Sequence, residues 1–181
     1  MVNSSELIKD FVNTLHKDPQ LDADEEDLAT PGELAAWLAS RGLPVGVATA
    51  ADLERAHELR EALRTLLLAN NGEDVNVTAA YAVLDRTARR AHVELCCTER
   101  GPALVAAAAD VAGALGEIVV AVHSATAAGS WPRLKACRAR DCEWAFIDNA
   151  KNQSRAWCSM SSCGNREKAR AHRARQRAAG A

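Results

Sequence analysis

The chain has 181 residues, of which 48% are hydrophobic and 25% charged, with a formal net charge of −2 at pH 7. This length predicts one domain, or one domain with a small additional module, and the composition excludes a disordered chain. Alanine occurs 38 times, whereas aromatic residues make up only 4% of the chain. Such a sequence indicates packed helices and argues against a β-sandwich or a β-barrel.

The charge is distributed unevenly along the chain. Residues 1–132 carry 10 Lys and Arg against 20 Asp and Glu, a balance of −10, whereas residues 133–181 carry 12 against 4, a balance of +8. An acidic body followed by a basic C-terminal segment predicts two parts that meet different partners.

Two features of the sequence bear on its location. No charged region followed by an apolar stretch opens the chain, so we expect no secretory signal. The longest apolar stretch, 103–128, contains Asp110 and Glu117, and an acidic side chain at the centre of a bilayer costs about 2.5–3.5 kcal/mol. We therefore expect a core helix there, and a cytoplasmic protein whose cysteines stay reduced unless a metal binds them.

The first 130 residues show mainly the periodicity of helices. Capping signals at Thr30 and Thr49 start two of them, and Pro31 suits the first helical position. We predict helices over about 4–16, from Pro31 to near Gly42, over 49–70 and over 78–90. Residues 92–97 form the one clear strand, and an alanine-rich helix follows Gly101-Pro102 and ends near Gly129. Residues 1–130 are thus predicted to form a multihelical domain with little strand.

Trp131-Pro132 marks the predicted boundary with a second part, residues 131–181. The large apolar side chains beyond residue 132 are Leu134, Trp144, Phe146, Ile147, Trp157 and Met160. Six such side chains cannot offset the conformational entropy of about fifty residues, at roughly 1.5 kcal/mol each. This segment therefore needs an additional stabilising element.

Four cysteines supply that element. Cys137 and Cys142 are separated by four residues, as are Cys158 and Cys163, and fifteen residues lie between the two pairs. Two close pairs across a short loop can bring four thiolates into a tetrahedral shell, so we predict one structural Zn²⁺ bound by these four residues. The alternative, two disulfides or four inert thiols, is disfavoured by the spacing and by the lack of a secretory signal.

The residues around the cysteines predict a small hairpin followed by a helix. Trp144 and Phe146 alternate on one face after Cys142, and turn residues precede a predicted return strand over 154–157. The second cysteine pair then leads into a helix, as in treble-clef-like zinc modules. The predicted fold class is therefore mostly α: a multihelical N-terminal domain with little strand, plus a small treble-clef-like zinc module.

The cysteine segment resembles the CGNR zinc finger over about 45 residues. The resemblance rests on CEWAFID at 142–148, NQSRAWCSM at 152–160 and CGNREKA at 163–169. Upstream, DFVNTL at 10–15 and DLATPGELAAWL at 27–38 resemble the ABATE domain that precedes this finger. The resemblance implies a bacterial stress-induced transcription regulator whose finger binds DNA.

The last predicted helix is basic on two opposite sides. Only alanines lie between its basic residues, so no face is apolar enough to be buried in a core. With four thiolates and one Zn²⁺ the C-terminal balance of +8 becomes about +6, which suits a phosphate backbone. The candidates for phosphate or base contact are Arg155, Arg166, Lys168, Arg170, Arg173 and Arg177. Within this set Arg166, Arg170, Arg173 and Arg177 form one narrow stripe, with Lys168 and Arg175 on the opposite side.

These features predict a DNA-binding transcription regulator. The same basic surface would also suit RNA, or an acidic protein to which the chain docks as an adaptor, and the sequence leaves the oligomeric state open. No nucleophile elbow, P-loop or dinucleotide fingerprint occurs, and four cysteines leave no open coordination position on zinc. We therefore predict that the protein is not an enzyme.

Overall fold

The computed structural model describes residues 3–17, 24–43, 45–99 and 101–179. These residues form six α-helices and three short two-stranded antiparallel sheets. The elements are α1 (Ser4–Val12), β1 (Leu15–His16), β2 (Glu25–Glu26), α2 (Pro31–Ser40), α3 (Ala50–Asn70), α4 (Val77–Arg90), β3 (Val93–Thr98), β4 (Gly101–Ala106), α5 (Val111–Ala127), β5 (Leu134–Ala136), β6 (Ala145–Ile147) and α6 (Asn165–Ala179). The predicted fold class is confirmed.

The helices begin where the capping signals predict. Thr30 Oγ1 accepts the Glu33 N–H at 3.2 Å at the start of α2. At the start of α3, Thr49 Oγ1 accepts the Asp52 N–H at 3.2 Å and the Asp52 carboxylate accepts the Thr49 N–H at 2.9 Å. These reciprocal bonds satisfy donors that the first turn of a helix leaves free.

Helix α3 lies at the centre of the apolar core. It contacts α1, α2, α4, α5 and strand β5. The largest apolar side chains that these elements bury include Phe11, Leu59, Leu63 and Ile118. Burying a side chain of this size stabilises the fold by about 1.5–3 kcal/mol, so the N-terminal helices have a substantial core of their own. None of the described helices is long and apolar enough to cross a membrane.

One arginine of α3 joins this core to the short β1–β2 sheet. Arg60 is 3% exposed, and its guanidinium donates to both carboxylate oxygens of Glu26 at 2.6 and 2.7 Å and to Thr14 Oγ1 at 3.2 Å. Burial acts to raise the pKa of Glu26, but the hydrogen bonds from Arg60 and the Leu28 N–H outweigh it and lower that pKa below its usual range. A buried arginine requires such a partner.

The segment after residue 100 differs from the sequence prediction. Gly101–Ala106 is strand β4, paired with β3 from Val93↔Ala106 to Thr98↔Gly101, and the helix begins only at Val111. The apolar run alone could not separate a strand from a helix. The Ala106 N–H donates to Glu117 of α5 at 3.0 Å, which fixes the strand against the helix.

The apolar core continues past the predicted boundary at Trp131-Pro132. Leu134, Ala136 and Ala145 of the β5–β6 hairpin are buried in the same cluster as the side chains of α1, α3 and α5. The division into 1–130 and 131–181 stays a prediction. The hairpin belongs to the second part by sequence but packs in the core of the first part.

Candidate metal centre and nucleic-acid interface

Four thiols converge at the start of the C-terminal module. The Sγ atoms of Cys137, Cys142, Cys158 and Cys163 all lie within 4.8 Å of one another. The Cys142–Cys158 distance is 3.7 Å and the Cys158–Cys163 distance is 3.6 Å. A tetrahedron with Zn–S bonds of about 2.3 Å has S···S edges of about 3.8 Å. The four predicted ligands therefore have the geometry of one structural Zn²⁺ site.

The cysteines form a small core of their own. Cys137, Cys142 and Cys163 are buried and Cys158 is half-buried. Trp144 and Trp157 pack against them. The two tryptophan rings cover part of the cysteine cluster. Four protein ligands complete the coordination of zinc, so bound zinc would stabilise the fold and would have no open position for a substrate.

Three of the four thiols have shifted pKa values. Hydrogen bonds from the Cys142 and Cys158 thiols, helped by backbone N–H groups, lower the pKa of Cys137 to about 2. The hydrogen bond with Cys137 raises the pKa of Cys158 to about 12, and that of Cys142 also lies above its usual range. Zinc binds cysteine as the thiolate, so zinc binding has to displace the protons that these thiols carry.

The first cysteine pair sits at the end of the β5–β6 hairpin. Strand β5 pairs with β6 from Leu134↔Ile147 to Ala136↔Ala145, and the Cys137 N–H continues the ladder to the Trp144 carbonyl at 3.0 Å. The sequence placed the second strand at 154–157, which was wrong, because that segment is irregular. The chain reverses direction within the loop from Cys137 to Cys142, so strand β5 before this loop pairs with strand β6 after it.

A buried ion pair organises the segment that the sequence had read as a strand. Lys135 Nζ donates to Asp148 Oδ2 at 2.8 Å and to the Gln153 carbonyl at 2.5 Å. The Asp148 carboxylate also accepts the Ala150 and Arg155 N–H groups, each at 3.0 Å. Burial acts to raise the pKa of Asp148, but Lys135 and these N–H groups lower it. The pair thereby shapes the loop that leads to Cys158.

The second cysteine pair positions helix α6. A Cβ on Gly164 would lie 2.4 Å from Met160 Sδ and 3.0 Å from Trp157 Cδ1, so a larger residue here would have to displace the Met160 side chain. The Asn165 side chain donates to the Ser161 carbonyl at 3.2 Å. Arg166 Nη2 lies 3.4 Å from Cys163 Sγ and 3.3 Å from Asp141 Oδ1. The residues Cys-Gly-Asn-Arg thus join the metal cluster to the helix.

Three of the six predicted contact residues bind within the protein. Arg166 and Arg170 both pair with Asp141, and Arg155 donates to the Cys158 carbonyl at 2.7 Å and lies over the Phe146 ring. The hydrogen bond that Arg170 donates to Asp141, together with the charges of Arg166 and Arg170, lowers the pKa of Asp141. The first half of the predicted stripe therefore faces the loop between the first two cysteines.

The other three predicted residues, Lys168, Arg173 and Arg177, are exposed, as is Arg175 on the same helix. In the part of the chain that the structure describes, none of these four has an ion-pair partner. The free cations of α6 therefore occur on both of its sides and mainly in its C-terminal half. Contact of any of them with nucleic acid stays a prediction.

Two family models match the chain, one after the other. The CGNR zinc finger model matches residues 133–176. The ABATE model, described as "Putative stress-induced transcription regulator", matches residues 5–134. The chain belongs to the ABATE family. The order of the two matches confirms the resemblance found in the sequence, and no curated protein sequence matches the chain significantly.

The ABATE domain binds the first cysteine loop directly. Arg64, 2% exposed, donates to the Glu143 carbonyl at 2.9 Å. Glu143 has a φ of 49°, a strained value for a side chain of this kind. Asn71 donates to the Ala136 and Ala156 carbonyls at 2.7 and 2.9 Å.

These supporting residues were not identified from the sequence. Arg64 lies within the helix predicted over 49–70 and Asn71 directly follows it, and the sequence assigned a function to neither residue. Their acceptors are main-chain carbonyls far along the chain, which carry no signal in a single sequence.

Proposed function

We propose that the protein is a transcription regulator whose C-terminal zinc module binds DNA. The observation that most supports this function is the exposure of α6 and of its unpaired basic side chains. The helix begins beside the cysteine cluster, buries none of its described side chains, and presents Lys168, Arg173, Arg175 and Arg177 to solvent. Unpaired cations on an exposed helix attract the phosphate backbone and displace its counterions.

The dimensions of α6 suit a groove of duplex DNA. Its 15 residues span about 22 Å at 1.5 Å per residue. An α-helix with side chains is about 10–12 Å wide, and the major groove is about 12 Å wide. Because Lys168 and Arg175 lie opposite Arg173 and Arg177, the helix can reach phosphates on both walls of a groove.

The ion pairs with Asp141 serve the proposed function indirectly. Arg166 and Arg170 bind Asp141 and hold the first turns of α6 against the cysteine loop. A helix with a fixed direction loses less conformational entropy when its free end binds a partner. Zinc would then contribute to DNA affinity by orienting α6.

We also propose that the protein acts by binding and not by catalysis, in the cytoplasm where DNA is accessible. The closed cysteine shell supports this proposal, since catalytic zinc needs an open position.

Fluorescence anisotropy with matched duplex DNA, duplex RNA and single strands tests the proposed function. Zinc-loaded protein is expected to bind duplex DNA at low salt, and Cys142→Ser protein is expected to bind it much more weakly. Preference for RNA would redirect the proposal to RNA binding. Failure to bind any nucleic acid at low ionic strength, with salt-sensitive binding to an acidic peptide, would favour the adaptor function.

A further inference from the structure

The ABATE domain contains a cavity whose lining includes no residue of the zinc module. This cavity of about 640 Å³ opens between the first half of α3, the C-terminal end of α4, the turn at His92 and the first turns of α5. All residues that line it precede residue 116. Small-molecule sites commonly have volumes of about 300–1,000 Å³, so the cavity has the size of a ligand site.

The lining of this cavity is strongly basic. Four arginines line it, Arg55, Arg86, Arg89 and Arg90, and Glu58 is its acidic residue. The four arginines are among the 10 Lys and Arg residues of 1–132, a part of the chain whose charge balance is −10. Cations gathered at one concave place on an acidic domain indicate a site that attracts anions.

These arginines are available to a ligand. Arg86 pairs with Glu58 and Arg89 pairs with Asp85. The side chains of both ion pairs are more than half exposed. Exposed ion pairs of this kind contribute little to stability, so exchange for another anion costs little. Arg90 is exposed and has no ion-pair partner within the described ranges.

A buried donor at the same cavity lacks an acceptor. Arg55 uses one terminal nitrogen for Asp52, but its Nε–H is buried and has no hydrogen-bond partner among the described residues. Because Nε is closed to solvent, it is not a ligand contact in this conformation, and Arg55 contributes to the cavity through its charge. Ala112 and Leu115 of α5 give the cavity an apolar side.

We propose that this cavity binds a small organic anion, with a carboxylate, sulfonate or phosphate group held by the arginines and a compact apolar body placed against Ala112 and Leu115. The planar guanidinium groups can each give two parallel hydrogen bonds to such an anion. The apolar side selects against inorganic phosphate alone, which has no surface to bury there.

A fluorescent pair of probes tests this site in the full-length, zinc-loaded protein. The anionic dye 8-anilino-1-naphthalenesulfonate is expected to bind with one site per chain, and the neutral N-phenyl-1-naphthylamine, which lacks the sulfonate, much more weakly. Benzoate is expected to displace the anionic dye at lower concentration than inorganic phosphate. Equal binding of the two dyes would overturn the proposal, because it would show that charge is not recognised.

Two matched variants locate the dye. Arg86→Ala with Arg90→Ala removes two exposed charges from the cavity and is expected to raise the Kd of the dye at least about tenfold, the equivalent of 1.4 kcal/mol. Arg140→Ala with Lys151→Ala removes two exposed charges from the zinc module and is expected to leave the Kd unchanged. Ala112→Phe, which fills the apolar side, is expected to weaken binding without changing the charge. Wild-type affinity in the Arg86/Arg90 variant would contradict the proposed site.

Discussion

The side-chain amide of Asn13, the residue directly after α1, forms both hydrogen bonds of a backbone pair with Ala145 in β6. Asn13 Nδ2 donates to the Ala145 carbonyl at 3.0 Å, and the Ala145 N–H donates to Asn13 Oδ1 at 2.7 Å. The two residues are 132 positions apart and both are buried. The Asn13 side chain thus links strand β6 to the C-terminal end of the first helix, and the position of the cysteine loop depends on the ABATE domain.

Asn13→Ala is expected to lower the free energy of unfolding by about 2–4 kcal/mol, because it leaves two buried backbone groups unsatisfied. Urea denaturation measures this change. Asn149→Ala, at an exposed asparagine of the same module, is the control and is expected to change stability by less than about 0.5 kcal/mol. Equal stability of the two variants would show that the Asn13–Ala145 pair contributes nothing.

Removal of zinc is expected to unfold the module while most helices remain. A chelator should abolish the circular dichroism of the 15-residue α6 but retain that of α1–α5, whose core includes Phe11, Leu63 and Ile118. Because β5 and β6 share this core, the unfolding midpoint of the remaining helices should fall by about 10 °C. At 2–4 °C per kcal/mol, this shift corresponds to a loss of about 2.5–5 kcal/mol in the free energy of unfolding. Simultaneous loss of all helical signal, or an unchanged midpoint, would contradict this interpretation.

Arg166→Ala is expected to weaken zinc affinity about 10–100-fold, the usual effect of losing a residue that supports metal ligands. Its guanidinium lies beside Cys163 Sγ and Asp141, so it offsets the negative charge of the thiolates. Competition with a chromophoric chelator measures the affinity. Lys151→Ala removes an exposed charge from the same module and should leave the affinity unchanged. Equal affinities would assign Arg166 another role.

Glu26→Gln is expected to remove a pH-dependent part of the stability. The folded-state pKa of Glu26 is lowered, so its contribution is complete above the ordinary glutamate pKa of about 4.3 and is lost as the pH falls through the folded-state value. The wild type should be more stable than the variant by about 2–3 kcal/mol at pH 7, since the buried Arg60 loses the carboxylate that accepts two of its hydrogen bonds and keeps only Glu61 as an ion-pair partner. Urea titrations should show this difference narrowing only below pH of about 4.3. A difference that is the same at pH 3 and pH 7 would contradict the role of the ion pair.

The zinc ligands were predictable because the information is local. Two cysteine pairs with equal spacing can meet around one ion regardless of the rest of the fold. The capping residues Thr30 and Thr49 likewise act within one turn, and their helices begin where the sequence placed them.

The interior polar contacts were not predictable in this way. Arg64 and Lys135 are charged residues that one expects in solvent, and their burial depends on acceptors that only the folded chain brings near. Strand β4 was missed because an apolar run of alanine and valine suits a helix or a strand, and its pairing with β3 decided between them. The pairing of Arg166 and Arg170 with Asp141 was not predictable either, because helical periodicity does not show that Asp141 lies opposite them.

The salt dependence of duplex DNA binding tests the central claim most directly. Contact of Lys168, Arg173, Arg175 and Arg177 with phosphates predicts a slope of log K against log salt of about −3.6, at about 0.9 per contact. Arg173→Ala with Arg175→Ala should flatten the slope by about 1.8 and weaken binding to all sequences alike, whereas the neutral change Gln176→Ala should alter neither. Wild-type affinity and slope in the double variant would contradict the claim that α6 is the nucleic-acid-binding surface.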